Sequence, residues 1–458
     1  MQQVYICIDL KSFFASVECV ERGLDPMTAK LVVADPTRTE KTICLAVSPA
    51  LRALGVRNRC RVFEIPPRLD YIMAQPRMAL YIRYSARIYS VYLRYFSPED
   101  IHVYSIDEVF IDVSRYLAVQ RKTPRELVKT LLRDIKAETG LVATCGIGSN
   151  LYLAKIALDI ISKHAPDFIG ELDETSYREK LWDHRPITDF WRVSRGTSAR
   201  LASLGILTMR DVANAREDVL YKTFGVNAEL IIDHAWGWEP VTMEQIKAYR
   251  PQVNSISSGQ VLHCPYDAKG ARLVVQEMAD ALALDLVERR LVTDQLVLTV
   301  GYDIENITNP ALYADYRGEI VADRYGRKIP KHAHGTVNLK TRTSSSRKIM
   351  EAVMGLYDDI VNPKLLVRRI TLVGNRLVEE ARAEAEEQYE QLELFTDTGG
   401  QEEEKKQEEL RLKKERSLQE AMLSVKKKYG KNAMLKGMNL QEGATAMERN
   451  SQIGGHKA

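Results

Sequence analysis

Val103-Tyr104-Ser105-Ile106-Asp107-Glu108-Val109-Phe110-Ile111-Asp112-Val113 places two adjacent carboxylates inside an apolar, β-prone run. Ionised carboxylates are costly among Val, Ile and Phe unless a cation or a hydrogen-bonding partner compensates. Neighbouring side chains of one strand point to opposite faces. Asp107 and Glu108 therefore share a site only where the chain bends, at a hairpin or a bulge. A surface turn with two solvated acids accounts for this stretch equally well.

A distant third acid shifts that balance. Val4-Tyr5-Ile6-Cys7-Ile8-Asp9-Leu10 is a short apolar strand ending on Asp9, followed at once by Ser12-Phe13-Phe14-Ala15-Ser16-Val17-Glu18. One Asp at a strand end plus an acidic pair on another strand is the minimum ligand set for two Mg²⁺ ions. Mg²⁺ takes few carboxylates and leaves its other positions to water and substrate phosphates. Two such ions clamp the attacking and leaving oxygens of an in-line phosphoryl displacement.

These two segments resemble the active-site motifs of Y-family (translesion) DNA polymerases, in the UmuC/DinB-like branch. The resemblance runs over roughly the first four-fifths of the chain. It implies an α+β multidomain fold. A polymerase right hand (palm, fingers, helical thumb) carries a small α+β little-finger domain and a flexible C-terminal tail. It also implies a low-fidelity, template-directed DNA polymerase acting in damage tolerance and repair. Asp9, Asp107 and Glu108 are then catalytic and hold two Mg²⁺ ions, with the Leu10 carbonyl as a further ligand.

Composition sets the outer limits. At 458 residues the chain is too long for one core, so two to four domains are expected. Hydrophobic residues at 45% and charged residues at 28% are ordinary for a soluble globular protein. No apolar run approaches the length of a membrane span, and with a strand in place of a basic and apolar leader no secretory signal is expected. Cys7, Cys19, Cys44, Cys60, Cys145 and Cys264 are scattered without a CxxC pair. They read as reduced thiols of a cytoplasmic protein. A net charge of +3 requires any nucleic-acid surface to come from local basic patches.

Along the chain, residues 1–170 read as palm, an antiparallel sheet with helices on one face, and the resemblance inserts fingers at about 11–76. Phe14 follows Asp9 closely enough to lie beneath a bound nucleotide. Core packing explains it as well, and the resemblance makes it the steric gate against a 2′-hydroxyl. Arg52 lies on a short helix, and a guanidinium suits a triphosphate. By resemblance it is the incoming-nucleotide arginine. The tyrosine that the family often has three residues earlier is Pro49 here. Residues 77–95 form a core-facing helix rich in Tyr and Arg. Gly146-Ile147-Gly148-Ser149-Asn150 opens a further helix, a weak anion-site pattern. By resemblance Lys163 is the triphosphate lysine after Ala154-Lys155-Ile156-Ala157, with one extra residue before it.

Residues 171–240 change to short helices and Trp-rich turns, the thumb of the resemblance. Arg192, Arg195 and Gly196 fall in its helix-hairpin-helix turn and are candidate DNA contacts, although the usual glycine pair is missing. Residues 241–253 read as a linker. Residues 254–378 alternate strands and helices like the little finger, and Arg327, Lys328, Lys340 and Arg342 along its strands would track phosphates, although an ordinary mixed surface accounts for them too.

Residues 379–458 form a polar tail. Gln391, Leu392, Leu394 and Phe395 resemble the peptide that binds the bacterial sliding clamp. Gln401–Lys428 reads as an amphipathic, partly ordered helix, and a merely solvated charged helix is the safer reading. The partners implied are primer–template DNA, dNTP and the sliding clamp, with recombinase or other damage-response proteins as accessory candidates. A catalytically weak, polymerase-like protein that holds primer–template and clamp is the alternative, motivated by Pro49 and the altered hairpin.

Overall fold

The computed structural model describes residues 3–37, 39–251, 254–314, 316–323, 326–387 and 398–457. The chain divides into two compact units, Met1–Arg250 with His456–Ala458, and Pro251–Gly455.

In the first unit, β1 (Tyr5–Leu10) is the middle strand of a five-stranded sheet. The order is β5-β6-β1-β7-β8, and the other members are β5 (Ile101–Val103), β6 (Glu108–Asp112), β7 (Ala143–Gly148) and β8 (Ile169–Leu172). Alternation along β1 sends Ile6, Ile8 and Leu10 into the core, with residues of helices Met78–Tyr92 and Pro124–Thr139. It sends Tyr5 and Cys7 to the opposite face, with Phe110, Leu151, Ala154 and Leu158. The Tyr-rich helix is a core helix as its spacing indicates, burying Tyr81, Tyr84, Ile88, Val91 and Tyr92.

Two expectations are corrected here. The sheet is mixed, because β8 runs parallel to β7. Helices also cover both faces. The second face takes the helix Leu151–Ile156 and the π-helical turn Ala157–Ser162. Glycine at 146 and 148 permits this. A Cβ at Gly146 would lie 2.0 Å from the Ala154 carbonyl oxygen, and one at Gly148 would lie 2.2 Å from the Ala154 nitrogen. The Gly-x-Gly stretch is thus a packing device rather than an anion cradle. The helix start is closed from within: Asn150 Oδ1 accepts the Leu153 N–H at 2.8 Å, and Ser149 Oγ donates to Glu174 at 2.9 Å.

A small sheet of β2 (Leu31–Val33), β3 (Ala46–Val47) and β4 (Ile72–Ala74) has a separate core around Val32, Cys44, Val47 and Leu51. Helices Glu174–Leu181, Arg195–Ala202, Met209–Asn214, Glu217–Phe224 and Asn227–Trp236 bury Tyr177, Leu201, Met209, Leu220 and Ala235 together. Part of the expected linker is helical as well. Met243–Ala248 starts on a Thr242–Gln245 capping box, buries Met243, and sends Lys247 Nζ to the Ile101 carbonyl at 2.5 Å.

In the second unit, β9 (Ser255–Tyr266), β10 (Leu291–Tyr302), β13 (Ala333–Thr343) and β14 (Val367–Asn375) form an antiparallel sheet of order β13-β10-β14-β9. A hairpin of β11 (Ile320–Ala322) and β12 (Lys328–Pro330) precedes β13. Leu296, Leu298, Val300, Ile370 and Leu372 face a core shared with helices Ala268–Arg289 and Ser346–Ile360. The other face carries cross-strand rows such as Ser257–Val373–Val297–Thr336 and Gly259–Thr371–Thr299–His334.

The tail differs from a mobile extension. Helix Thr398–Tyr429 packs on Ala268–Arg289, and Met422 and Gln419 are buried. Gln419 Nε2 donates to the Ser344 carbonyl and to Ser346 Oγ at 3.0 and 3.1 Å. Glu277, itself buried, accepts the Thr445 N–H at 2.8 Å, the Thr445 hydroxyl at 3.0 Å and Asn439 Nδ2 at 3.0 Å. Polar composition misleads because buried hydrogen bonds of Gln419 and Glu277 take part in this docking. Among the described residues no helix is long and apolar enough to cross a membrane.

Candidate active site

The site grows from the register of β1. Asp9 pairs with Glu108 on β6 on one side and with Thr144 on β7 on the other. Both Asp9 and Glu108 lie on the face of Cys7 and Phe110, since each is two residues along its strand. Asp107 comes from the β5–β6 connection. There Tyr104 and Ser105 N–H groups both donate to the Glu108 carbonyl at 3.0 Å, and the Asp107 carbonyl accepts the Leu10 N–H at 3.2 Å. The adjacent acids thus meet at a hairpin end, one of the two bends the sequence allows. Leu10 ends β1 at the same rim.

Asp9 feels the other two acids. Burial first, then the Asp107 and Glu108 carboxylates, push Asp9 up to about 7. Among the described residues no three His, Cys, Asp or Glu side chains converge on an ion-sized point. Asp107 Oδ1 is held by Ser105 Oγ at 2.7 Å, and Glu108 Oε1 by Lys155 Nζ at 2.8 Å. The donor set still fits Mg²⁺. It is all oxygen, and its mutual repulsion is what a divalent cation relieves.

Phe14 lies on helix Phe13–Val20 and stacks on Tyr81, with ring centroids 4.4 Å apart and planes 17° apart. Tyr81 is itself fixed. Its hydroxyl donates to Glu18 Oε1 at 2.8 Å, and Arg77 binds the same carboxylate at 2.9 and 2.7 Å. Burial works against the Glu18 charge, but Arg77, Arg22 and Tyr81 together hold it below the usual range.

Arg52 is exposed on helix Pro49–Ala53. Lys163 follows the π-helical turn directly. A π turn closes on i→i+5 and takes one more residue than an α turn. Lys11, which sequence reasoning missed, belongs with these two. Its Nζ lies 4.1 Å from the centre of the Phe168 ring. Burial, then the charges of Arg52 and Lys163, lower its proton affinity, while Asp9 raises it. Arg52, Lys163 and Asp9 therefore all lie within electrostatic reach of Lys11. Its position two residues after Asp9 was the available signal. Lys155 was also missed, because a lysine on a helix usually faces solvent.

The candidate DNA contacts lie elsewhere. Arg192 adopts a left-handed backbone, φ 67°, and stacks on Trp191 at 4.7 Å. The hairpin thus keeps a glycine-like conformation without the glycine. Arg195 and Gly196 open the next helix, capped by Ser194 Oγ accepting the Thr197 N–H at 3.1 Å. In the second unit Lys328 and Lys340 are exposed. Arg327 pairs with Asp323 at 2.6 Å, and Arg342 lies 3.7 Å from Asp294. Arg369 stands in the Val261–Arg369–Gly301 row of the sheet, a position that the alternation of β14 would have shown. Gln391, Leu392, Leu394 and Phe395 lie outside the described residues.

The impB/mucB/samB family model matches residues 8–159, and the model of that family's C-terminal domain matches residues 253–394. The chain is 28% identical to the putative UV-damage repair protein UvrX of Bacillus subtilis (strain 168), covering 99% of this chain and 97% of that one. It is 26% identical to DNA polymerase IV 2 of the same organism, covering 99% of both chains. Among solved structures, the Y-family DNA polymerase chimera Dbh-Dpo4(243-245)-Dbh superimposes with a TM-score of 0.59 at 20% identity, covering 82% of this chain and 99% of that one.

Proposed function

The chain belongs to the impB/mucB/samB family, the Y family of translesion DNA polymerases, and on that premise we propose that it is a DNA-directed DNA polymerase that extends a primer 3′-hydroxyl from dNTP across damaged template. The observation that carries the reading is the pairing of Asp9 with Glu108 across β1 and β6, with Asp107 one residue away at the hairpin end. When bound, two Mg²⁺ ions would supply activation of the 3′-hydroxyl and neutralisation of the leaving pyrophosphate. Asp9, Asp107, Glu108 and the Leu10 carbonyl would hold them.

The chain's own groups do the rest. Arg52, Lys163 and Lys11 neutralise triphosphate charge, and Lys11 offsets the phenol that Pro49 lacks. Phe14, backed by Tyr81, fills the space a ribose 2′-hydroxyl would need. Arg192, Arg195 and the Gly196 amide, with Arg327, Lys328, Lys340 and Arg342, contact the phosphates of primer–template DNA without reading sequence. Gln391, Leu392, Leu394 and Phe395 insert into the sliding clamp, which raises the local concentration of enzyme at the primer end. The cytoplasm is the proposed place of action.

The test is primer extension with Mg²⁺ and dNTP on undamaged and abasic templates, with Glu108→Ala as control. Metal-dependent extension that crosses the lesion and is absent in the control is expected. Intact primer–template binding without extension would overturn the reading in favour of a binding protein, the outcome Pro49 would explain.

A further inference from the structure

Glu108 is the one acid of the site whose carboxylate is pinned by buried donors. Lys155 Nζ lies 2.8 Å from Glu108 Oε1 and 3.0 Å from Asp159 Oδ2. The Cys7 thiol donates to the same Oε1 at 3.2 Å. Lys155 is only 7% exposed and Cys7 is fully buried, so water replaces neither donor readily. Glu108 Oε2 has no hydrogen bond to protein among the described residues.

The geometry points to Lys155, aided by Cys7, as a positioning residue: it fixes one oxygen of Glu108 and leaves the other to a divalent cation. This inference rests on the polymerase reading and extends it to residues outside the three acids. The fold supports it in steps. Gly146 and Gly148 let the helix lie directly on β7. That approach brings Lys155 to the β1–β6 ladder. Asp159, one turn further on, orients the ammonium at 3.0 Å and cancels its charge. The Lys155–Asp159 pair therefore adds little net field to the cation site. Its contribution is order: a carboxylate held in one orientation loses less freedom when it binds an ion.

Two charge-neutral comparisons test this. Lys155→Met combined with Asp159→Asn removes the pair without changing net charge. Cys7→Val removes the thiol donor, and Cys7→Ser keeps a donor in its place. The readout is Mn²⁺ binding, followed by electron paramagnetic resonance, in a complex with dideoxy-terminated primer–template and a non-hydrolysable dNTP. Removing a group that orients a metal ligand costs about 10- to 100-fold in metal affinity. That loss is expected for the double variant, a smaller one for Cys7→Val, and near-parental affinity for Cys7→Ser. The KM for dNTP at saturating metal should stay within about twofold of the parent.

Parental or tighter Mn²⁺ binding by a folded double variant would overturn the inference, and so would equal affinities for Cys7→Val and Cys7→Ser. If the double variant does not fold, the Cys7 pair decides alone. Failure of the polymerase reading looks different, since the parent complex itself would then bind no Mn²⁺ beyond that held by the nucleotide.

Discussion

Asp9 and Glu108 stand opposite one another in the β1–β6 ladder, on the sheet face they share with Cys7 and Phe110. Each acid extends an otherwise apolar row by one step, so the site forms where a buried sheet face reaches its rim. The same arrangement explains why Asp9 holds its proton so strongly and why a divalent cation suits the position.

Metal binding should depend on pH. Asp9 is pushed up to about 7 from 3.8 in the metal-free protein, by burial and by its acidic neighbours. Its proton competes with the cation, so apparent Mg²⁺ affinity should fall by up to about tenfold per unit as pH drops below 7. Stability runs the other way. A carboxyl raised in the folded state binds more protons folded than unfolded between those two values. In EDTA the protein should lose stability as pH rises from about 4 to 7, and Mg²⁺ should restore it. Thermal melts of parent and Asp9→Asn at pH 5 and 7.5, with and without Mg²⁺, measure both. A parental melt that does not change with metal at pH 7.5 contradicts the assignment.

Phe14→Ala should admit ribonucleotides. The ring is held by its 4.4 Å stack on Tyr81, so discrimination should fall by about 100-fold, or roughly 2.7 kcal/mol. Extension with dNTP should be retained. The ratio of kcat/KM for dCTP and CTP opposite template G is the measurement, and an unchanged ratio would return Phe14 to a core role.

Arg192→Gly should act in opposite directions on stability and binding. Relief of the left-handed backbone at φ 67° should stabilise the protein by about 1 kcal/mol. Loss of one phosphate contact should reduce the salt slope of DNA binding by about one. Denaturant melts and binding isotherms at several salt concentrations separate the two effects. An unchanged slope removes Arg192 from the DNA surface.

Glu277→Ala should loosen the C-terminal segment. The substitution leaves the Thr445 and Ala446 N–H groups, now bonded to Glu277 at 2.8 and 3.1 Å, without acceptors. A cost of about 2–4 kcal/mol is expected, with new protease cleavage between residues 406 and 450. Unchanged proteolysis would mean that this carboxylate does not hold the segment.

Much of the arrangement is legible in the sequence. The alternation of Ile6, Ile8 and Leu10 with Tyr5, Cys7 and Asp9 marks β1 and its two faces, and the apolar run around Asp107 and Glu108 marks its partner. Lys155 was not legible, because its burial follows from glycines on a neighbouring strand. Lys11 carried a signal in its position two residues after Asp9, but only the fold brings Arg52 and Lys163 near it. The tail looked mobile because composition records few apolar residues. What fixes it is the match of Glu277, Ser344 and Ser346 to distant donors and acceptors, a relation between segments that no local pattern carries.

The most direct test of the central claim is single-turnover incorporation of one correct dNTP, comparing the parent with Asp107→Ala at matched primer–template occupancy. The account predicts a rate loss of about 1,000-fold or more, at least 4 kcal/mol of transition-state stabilisation, with DNA affinity within about threefold of the parent. Near-parental incorporation by Asp107→Ala would contradict the assignment of the three acids to catalysis.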